Sequence, residues 1–184
     1  MTTRPRQAGA SMIEVLVTLV IIGFGLLGMA GLQMRLQVSE LESYQRSQAL
    51  LLLNDMASRV ATNRTAAASY VTGTTYGNTG AACPTATSTT IQRDVKEWCE
   101  ALQGSAETTD AGATKRGAMI GARGCVQKLG EDYMVTVAWQ GMTPISAPPA
   151  SVTCGKDQYD TAGTSCVNDL CRRVVTTLVR IATL

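Results

Sequence analysis

"GASMIEVLVTLVIIGFGLLGMAGL", residues 9–32, is apolar almost without interruption after Met12. The 21 residues from Met12 to Leu32 hold one charge, Glu14. As a helix they would span about 30 Å, the thickness of a bilayer's hydrocarbon core. A secretory signal peptide has a shorter apolar stretch followed by a small-residue cleavage site. Here the run is longer, and the helical pattern continues past it. Met34, Val38, Leu41 and Tyr44 recur at spacings of three and four, and Ala49, Leu52, Leu53, Met56 and Val60 follow. Arg35, Glu40, Glu42, Arg46, Asn54, Asp55 and Arg59 fill other positions. The pattern predicts one continuous helix of roughly fifty residues, apolar all round at first and then amphipathic. Straight, it would reach about 75 Å, a length that suits an assembly better than a compact domain. Gly23, Gly25, Gly28 and Gly31 interrupt the apolar half. Each costs about 1 kcal/mol of helix relative to Ala. They read equally well as sites of close packing or as a stretch that loosens on assembly.

The 184 residues suit one modest domain plus an appendage. The formal net charge is +2, from 16 basic and 14 acidic side chains. Without Arg4 and Arg6 the balance is 14 against 14, so the positive excess lies ahead of the apolar run. By the positive-inside rule the N-terminus faces the cytoplasm and the remainder is exported. No basic cluster follows downstream, which argues against a nucleic-acid partner. All six cysteines, Cys83, Cys99, Cys125, Cys154, Cys166 and Cys171, lie in the exported part. An even count beyond a membrane segment reads as disulfides in an oxidising compartment. With no His and no CxxC pair, a zinc site is the weaker reading.

The start of the helix carries a resemblance. "GASMIEVLV" is similar to the prepilin signature: a short basic leader, a Gly, a variable residue, and a Glu five positions after the Gly. "GFGLLGMAGLQ" and "SYQRSQALLLLNDMASRVATNR" resemble the PilV family of minor pilins, the type IV pilus modification proteins. The resemblance covers the first 64 residues. It implies a leader of residues 1–9, cut after Gly9 by a prepilin peptidase, and a mature chain that begins with an N-methylated Ala10. Major pilins usually have Phe where Ala10 stands. It further implies a transmembrane half over residues 10–32 and an amphipathic half over 33–62. A disulfide-rich periplasmic domain would occupy 63–184. Other minor pilins, the major pilin, the prepilin peptidase/N-methyltransferase and the inner membrane would be the partners, with Glu14 acting in assembly. No cofactor is implied. The implied fold class is α+β, a pilin-like roll in which the long helix packs on a small antiparallel sheet.

The exported residues give their own outline. Residues 62–90 are rich in Thr, Ala, Ser, Gly and Asn and read as a long irregular connection. In "TTIQRDVKEWCEALQG" Ile91, Val95, Trp98 and Leu102 share a helix face, with Thr90 as N-cap, Gly104 as stop and Trp98 in the core. "GCVQKLGEDYMVTVAWQG" reads as a hairpin turning at Gly130-Glu131-Asp132. Tyr133, Val135, Val137 and Trp139 would point one way; Met134, Thr136, Ala138 and Gln140 would point the other. After a loop over residues 141–165, "CRRVVTTLVRI" supplies a last strand, with Arg172 and Arg173 expected at the surface. Three strands with one apolar face need a cover, for which the amphipathic half of the long helix is suited. Among fifteen possible disulfide pairings, local spacing favours Cys83–Cys99. Cys125 with Cys171, both at strand starts, and Cys154 with Cys166, bracketing a loop, complete the expectation.

Chemistry is thin. No G-x-S-x-G elbow occurs, and the absence of His removes the commonest general base. Asp157, Asp160 and Asp169 do not follow EF-hand spacing and read as solvated loop charges. The residues therefore point to a non-enzymatic assembly subunit. Two alternatives stand beside it: a minor pseudopilin of a type II secretion system, and a membrane-anchored periplasmic binding module whose loop 141–165 contacts a ligand. A mere anchor needs neither Glu14 nor Gly9, which favours assembly.

Overall fold

The computed structural model describes residues 11–71, 73–78, 80–104, 119–181 and the backbone of 108–109 and 114–115. Helix α1, Met12–Thr62, is continuous through all four glycines of its apolar half. Two compact units divide the chain, one ending at Leu41 and the other running from Glu42 to Leu184.

In the first unit the large apolar side chains other than half-buried Val38 stay exposed, from 48% at Val15 to 87% at Met12. Met34 and Leu41, which continue the periodic face, are also exposed. The first buried helical residue is Gln45, in the second unit, and Ala49, Leu53, Met56 and Val60 follow on the same face.

The second unit builds on that face. A short 3-10 segment, Arg64–Tyr70, follows the helix within the stretch expected to be irregular. Helix α2, Thr90–Leu102, begins one residue earlier than expected, because Thr89 rather than Thr90 is the N-cap. The Thr89 hydroxyl accepts from the Gln92 N–H at 3.2 Å, and the Gln92 side chain accepts from the Thr89 N–H at 3.2 Å. This reciprocal pair satisfies two otherwise unpaired donors. Gly104 ends the helix in a left-handed conformation, φ +79°.

In chain order the strands are β1 (Tyr76–Gly77), β2 (Thr108–Thr109), β3 (Thr114–Lys115), β4 (Arg123–Leu129), β5 (Asp132–Gln140) and β6 (Arg172–Val179). The main sheet runs β1-β4-β5-β6 and is antiparallel throughout. The fold is thus α+β, as the sequence implied, with β1 as a fourth strand. Strands β2 and β3 form a separate short pair. The central hairpin turns on Gly130 and Glu131, while Asp132 already pairs with Leu129 as the first residue of β5.

Strand β5 is buried along its whole interior, from Tyr133 to Trp139. Val135, Val137 and Trp139 pack in the main core with Leu53, Met56, Val60, Tyr70 and Trp98. The opposite face is not left to solvent, as a one-sided sheet would be. Ala138 packs there with Cys125, Cys154 and Tyr159. The loop after β5 is drawn over this face, so β5 is covered on both sides, while Thr176 and Leu178 of β6 stay exposed.

Gly124 explains how closely α2 lies on β4. A Cβ there would stand 2.2 Å from Trp98 Cη2 and 2.6 Å from Leu102 Cδ1. The indole lies where a side chain would be, and its Nε1–H donates to the Leu52 carbonyl of α1 at 2.9 Å.

The disulfides are Cys83–Cys99, as expected, with Cys125–Cys154 and Cys166–Cys171. The expected Cys125–Cys171 pair is excluded by register, and the expected Cys154–Cys166 pair falls with it, because Cys125 takes Cys154 and Cys171 takes Cys166. Cys125 and Thr176 both align with Thr136, so Cys125 and Cys171 lie two strands apart and five residues out of step. Two strand spacings alone come to about 9.5 Å, beyond the Cα separation of about 7 Å that a disulfide can bridge.

Candidate functional site

Glu14 sits in the first turn of α1, exposed, and its N–H donates to the Ser11 carbonyl at 2.9 Å. Negative charge is favoured at this end of a helix, because four N–H groups there lack intrahelical partners. Gly9 and Ala10 lie outside the described residues. Beyond Glu14, the helix presents Ile13, Leu16, Leu19, Ile21, Phe24 and Leu27 to its surroundings, each more than half exposed. A surface this apolar and this extended is a docking or membrane surface. Among the described residues, α1 is the one helix long and apolar enough to cross a bilayer. A Cβ at Gly23, Gly25, Gly28 or Gly31 would meet nothing within 4 Å, so no contact inside the chain requires these glycines.

Residues 4–30 match a family model, the prokaryotic N-terminal methylation motif. The match supports a type IV pilin-like protein, of the pilin or pseudopilin kind. It points to a structural subunit rather than an enzyme, and implies processing by a prepilin peptidase and assembly with other pilins. No curated protein and no solved structure matches the chain.

Among its described residues the second unit holds three charged clusters that join elements distant in the chain or turns, none of them expected from the sequence. In the first, Arg59 of α1 reaches Asp55 at 3.0 Å, Asp94 of α2 at 2.8 Å and Glu97 at 2.8 Å. Burial works against the Arg59 charge, but hydrogen bonds to Glu97, Asp55 and Asp94 outweigh it and hold the guanidinium protonated. Asp94, buried, also accepts from the Tyr70 hydroxyl. Burial first, and then the Asp94 hydrogen bond, push the Tyr70 phenol up to about 12. This cluster ties both helices to the 3-10 segment.

The second cluster corrects the expectation that Arg172 is a surface residue. It is 1% exposed and pairs with buried Asp169 at 3.1 Å. Its Nη1 donates to the Val152 carbonyl at 2.7 Å and the Cys154 carbonyl at 3.1 Å. Asp169 also accepts from the Asp157 N–H at 2.9 Å, and Asp160 accepts from the N–H groups of Asn168 and Asp169. Of the three aspartates expected to be solvated, Asp157 and Asp160 are exposed, while Asp169 is buried; Asp160 and Asp169 also tie down turns. Among the described residues no group of His, Cys, Asp or Glu is placed to hold a metal ion.

Arg173 anchors the third cluster and is likewise largely covered. Its Nη2 reaches Glu42 of α1 at 3.2 Å and the Thr143 carbonyl at 2.6 Å. Glu42 also accepts from the Met142 N–H at 3.0 Å. Gly141 makes room for this arrangement: a Cβ there would meet the guanidinium carbon of Arg173 at 2.5 Å.

Proposed function

We propose that the chain is a minor pilin subunit of the type IV pilus, of the PilV kind. Cleavage between Gly9 and Ala10 yields a methylated amine, and α1 inserts into the inner membrane with the N-terminus cytoplasmic and the second unit periplasmic. Glu14 then acts in assembly by meeting the Ala10 amine of a neighbouring pilin. The observation that carries this reading is the exposed apolar helix with one carboxylate in its first turn, inside a methylation motif. The likeness of residues 23–33 and 43–64 to PilV sequences supports the minor-pilin role.

The energetics favour such a role for Glu14. A charged residue at the centre of a membrane helix costs roughly 2.5–3.5 kcal/mol on insertion for Asp, Lys or Arg; Glu14 lies near the end and costs less. An opposite charge at about 4 Å contributes up to about 4 kcal/mol at an effective dielectric near 20. A pair between neighbouring subunits therefore attracts the correct register and penalises wrong ones, as buried polar residues do in coiled coils.

The test joins intact mass with co-purification. The mature protein should begin at Ala10 and carry one added methyl group. Glu14→Ala should leave membrane insertion and cleavage intact while abolishing co-purification with other pilins. An uncleaved chain in the native host, or a Glu14→Ala protein that assembles normally, refutes the proposal.

A further inference from the structure

A cleft of about 350 Å³ opens beside the Cys125–Cys154 bridge, lined by Thr75, Arg123, Thr153, Gly155, Lys156 and Gln158. Small-molecule sites begin at about this size. The lining has two cations and no carboxylate. Elsewhere in the unit the covered cations are neutralised: Arg59 by three carboxylates, Arg172 by Asp169 and Arg173 by Glu42. Arg123 and Lys156 have no carboxylate partner among the described residues. Thr153, Lys156 and Gln158 are exposed, so the cleft is open to water and its two cations attract an incoming counter-charge.

The remaining groups are suited to hydroxyls. Arg123 lies over the Tyr159 ring, 4.9 Å from its centroid, interacts with its phenol and donates weakly to the Gly121 carbonyl at 3.4 Å. Its fork of five N–H donors leaves room for a further acceptor. The Thr153 hydroxyl accepts from Gln127 at 2.9 Å, which leaves its own proton to donate. Gln158 brings both a donor and an acceptor. The walls are held from behind. The disulfide ties Cys154, between Thr153 and Gly155, to β4, and buried Arg172 holds the Val152 and Cys154 carbonyls. The backbone of the cleft is thus fixed, while the exposed Lys156 side chain is ordered only on binding.

We infer that this cleft binds a small hydroxylated organic anion of the acidic-sugar class, with its carboxylate on Arg123 and Lys156 and its hydroxyls on Thr75, Thr153 and Gln158. A bare anion satisfies the two cations and leaves the hydroxyls and amide facing water. A neutral sugar does the reverse. The site lies wholly in the second unit and is independent of the N-terminal assembly segment.

The experiment is a titration of the full chain, in nonionic detergent with its disulfides intact, against galacturonate, galactose and inorganic phosphate. The amide resonances of Gly155 and Lys156 report binding, with Glu131 in the distant hairpin turn as control. Galacturonate should shift both reporters saturably and bind about tenfold more tightly than galactose or phosphate, the factor that one additional hydrogen bond to a charged group supplies. Lys156→Gln should lose about the same factor, and Lys156→Arg should retain binding. The Lys156 side chain is exposed and takes no part in the hydrogen bonds described, so both variants keep the fold. Galactose or phosphate binding as tightly as galacturonate overturns the inference, as does a Lys156→Gln protein that binds like the wild type. A failed assembly phenotype for Glu14→Ala leaves this titration unaffected.

Discussion

Gly124→Ala places one methyl group in the tightest contact of the fold. The added carbon would lie 2.2 Å from Trp98 Cη2, 2.7 Å from Trp98 Cζ2 and 2.6 Å from Leu102 Cδ1. Comfortable carbon–carbon contact begins near 3.5 Å, so the indole must retreat by about 1.3 Å. It has nowhere to go cheaply. Trp98 is 0% exposed and Leu102 2%, and the Tyr76 ring sits edge-on to the indole at 6.4 Å. Overpacking of this kind costs about 1–3 kcal/mol. If the retreat also breaks the Nε1–H bond to the Leu52 carbonyl, a buried unpaired donor adds about 1–3 kcal/mol. The loss is therefore about 1–3 kcal/mol, or about 2–6 kcal/mol if that bond is broken. Urea unfolding of the oxidised protein, read by tryptophan fluorescence, measures it. Gly28→Ala is the control, because its Cβ meets open space. It should not destabilise, and helix propensity favours it by up to about 1 kcal/mol. A Gly124→Ala loss below about 1 kcal/mol would mean that α2 does not rest on β4 as described.

Three further outcomes test the second unit. Loop-closure entropy ranks the disulfides by their separations of 29, 16 and 5 residues. Paired Cys→Ser changes should cost about 3.5 kcal/mol at Cys125–Cys154, 3 at Cys83–Cys99 and 2 at Cys166–Cys171; denaturant midpoints in another order would contradict the pairing. Arg172→Met strands buried Asp169 and two carbonyls, and should destabilise by about 3–5 kcal/mol, measured by the same unfolding. The Tyr70 phenol is pushed from 10.0 to about 12, so between those values the folded chain keeps a proton that the unfolded chain has lost. Stability should therefore be full below pH 10 and fall as pH rises towards 12, with a shallower fall in Tyr70→Phe; equal slopes for the two proteins would remove Tyr70 from the titration.

What could be read in advance followed from local periodicity. The long helix, α2 and the β4–β5 hairpin each announce themselves through residues three, four or two apart, and each formed. Boundaries slipped where two residues of one type compete. Thr89 and Thr90 can both cap a helix, but Gln92 stands three residues after Thr89, and that reciprocal bond decides. The signal for it was in the sequence. Gly124 also left a trace, since a glycine inside a strand marks close approach of another element. The small strand β1 left none, because two residues have no period.

The charged clusters were not legible, for a reason that the Arg172–Arg173 pair makes plain. Adjacent residues of a strand face opposite ways, so a doublet of arginines at a strand start must divide its charges between two faces. On a one-sided sheet one of the two would reach water. Here both faces are covered at the start of β6, and each arginine needs its own carboxylate: Asp169 for Arg172 and Glu42 for Arg173. Those partners lie 3 and 131 residues away, and only the second is beyond the reach of local spacing. The covering of the second face is itself the work of Cys154, which carries loop residues 153–158 across to β4. The same bridge that hides Ala138 thus brings Lys156 into one cleft with Arg123. The pairing of one cysteine decides whether the sheet has an outer face and whether these two cations meet, and a sequence that allows fifteen pairings cannot supply that decision.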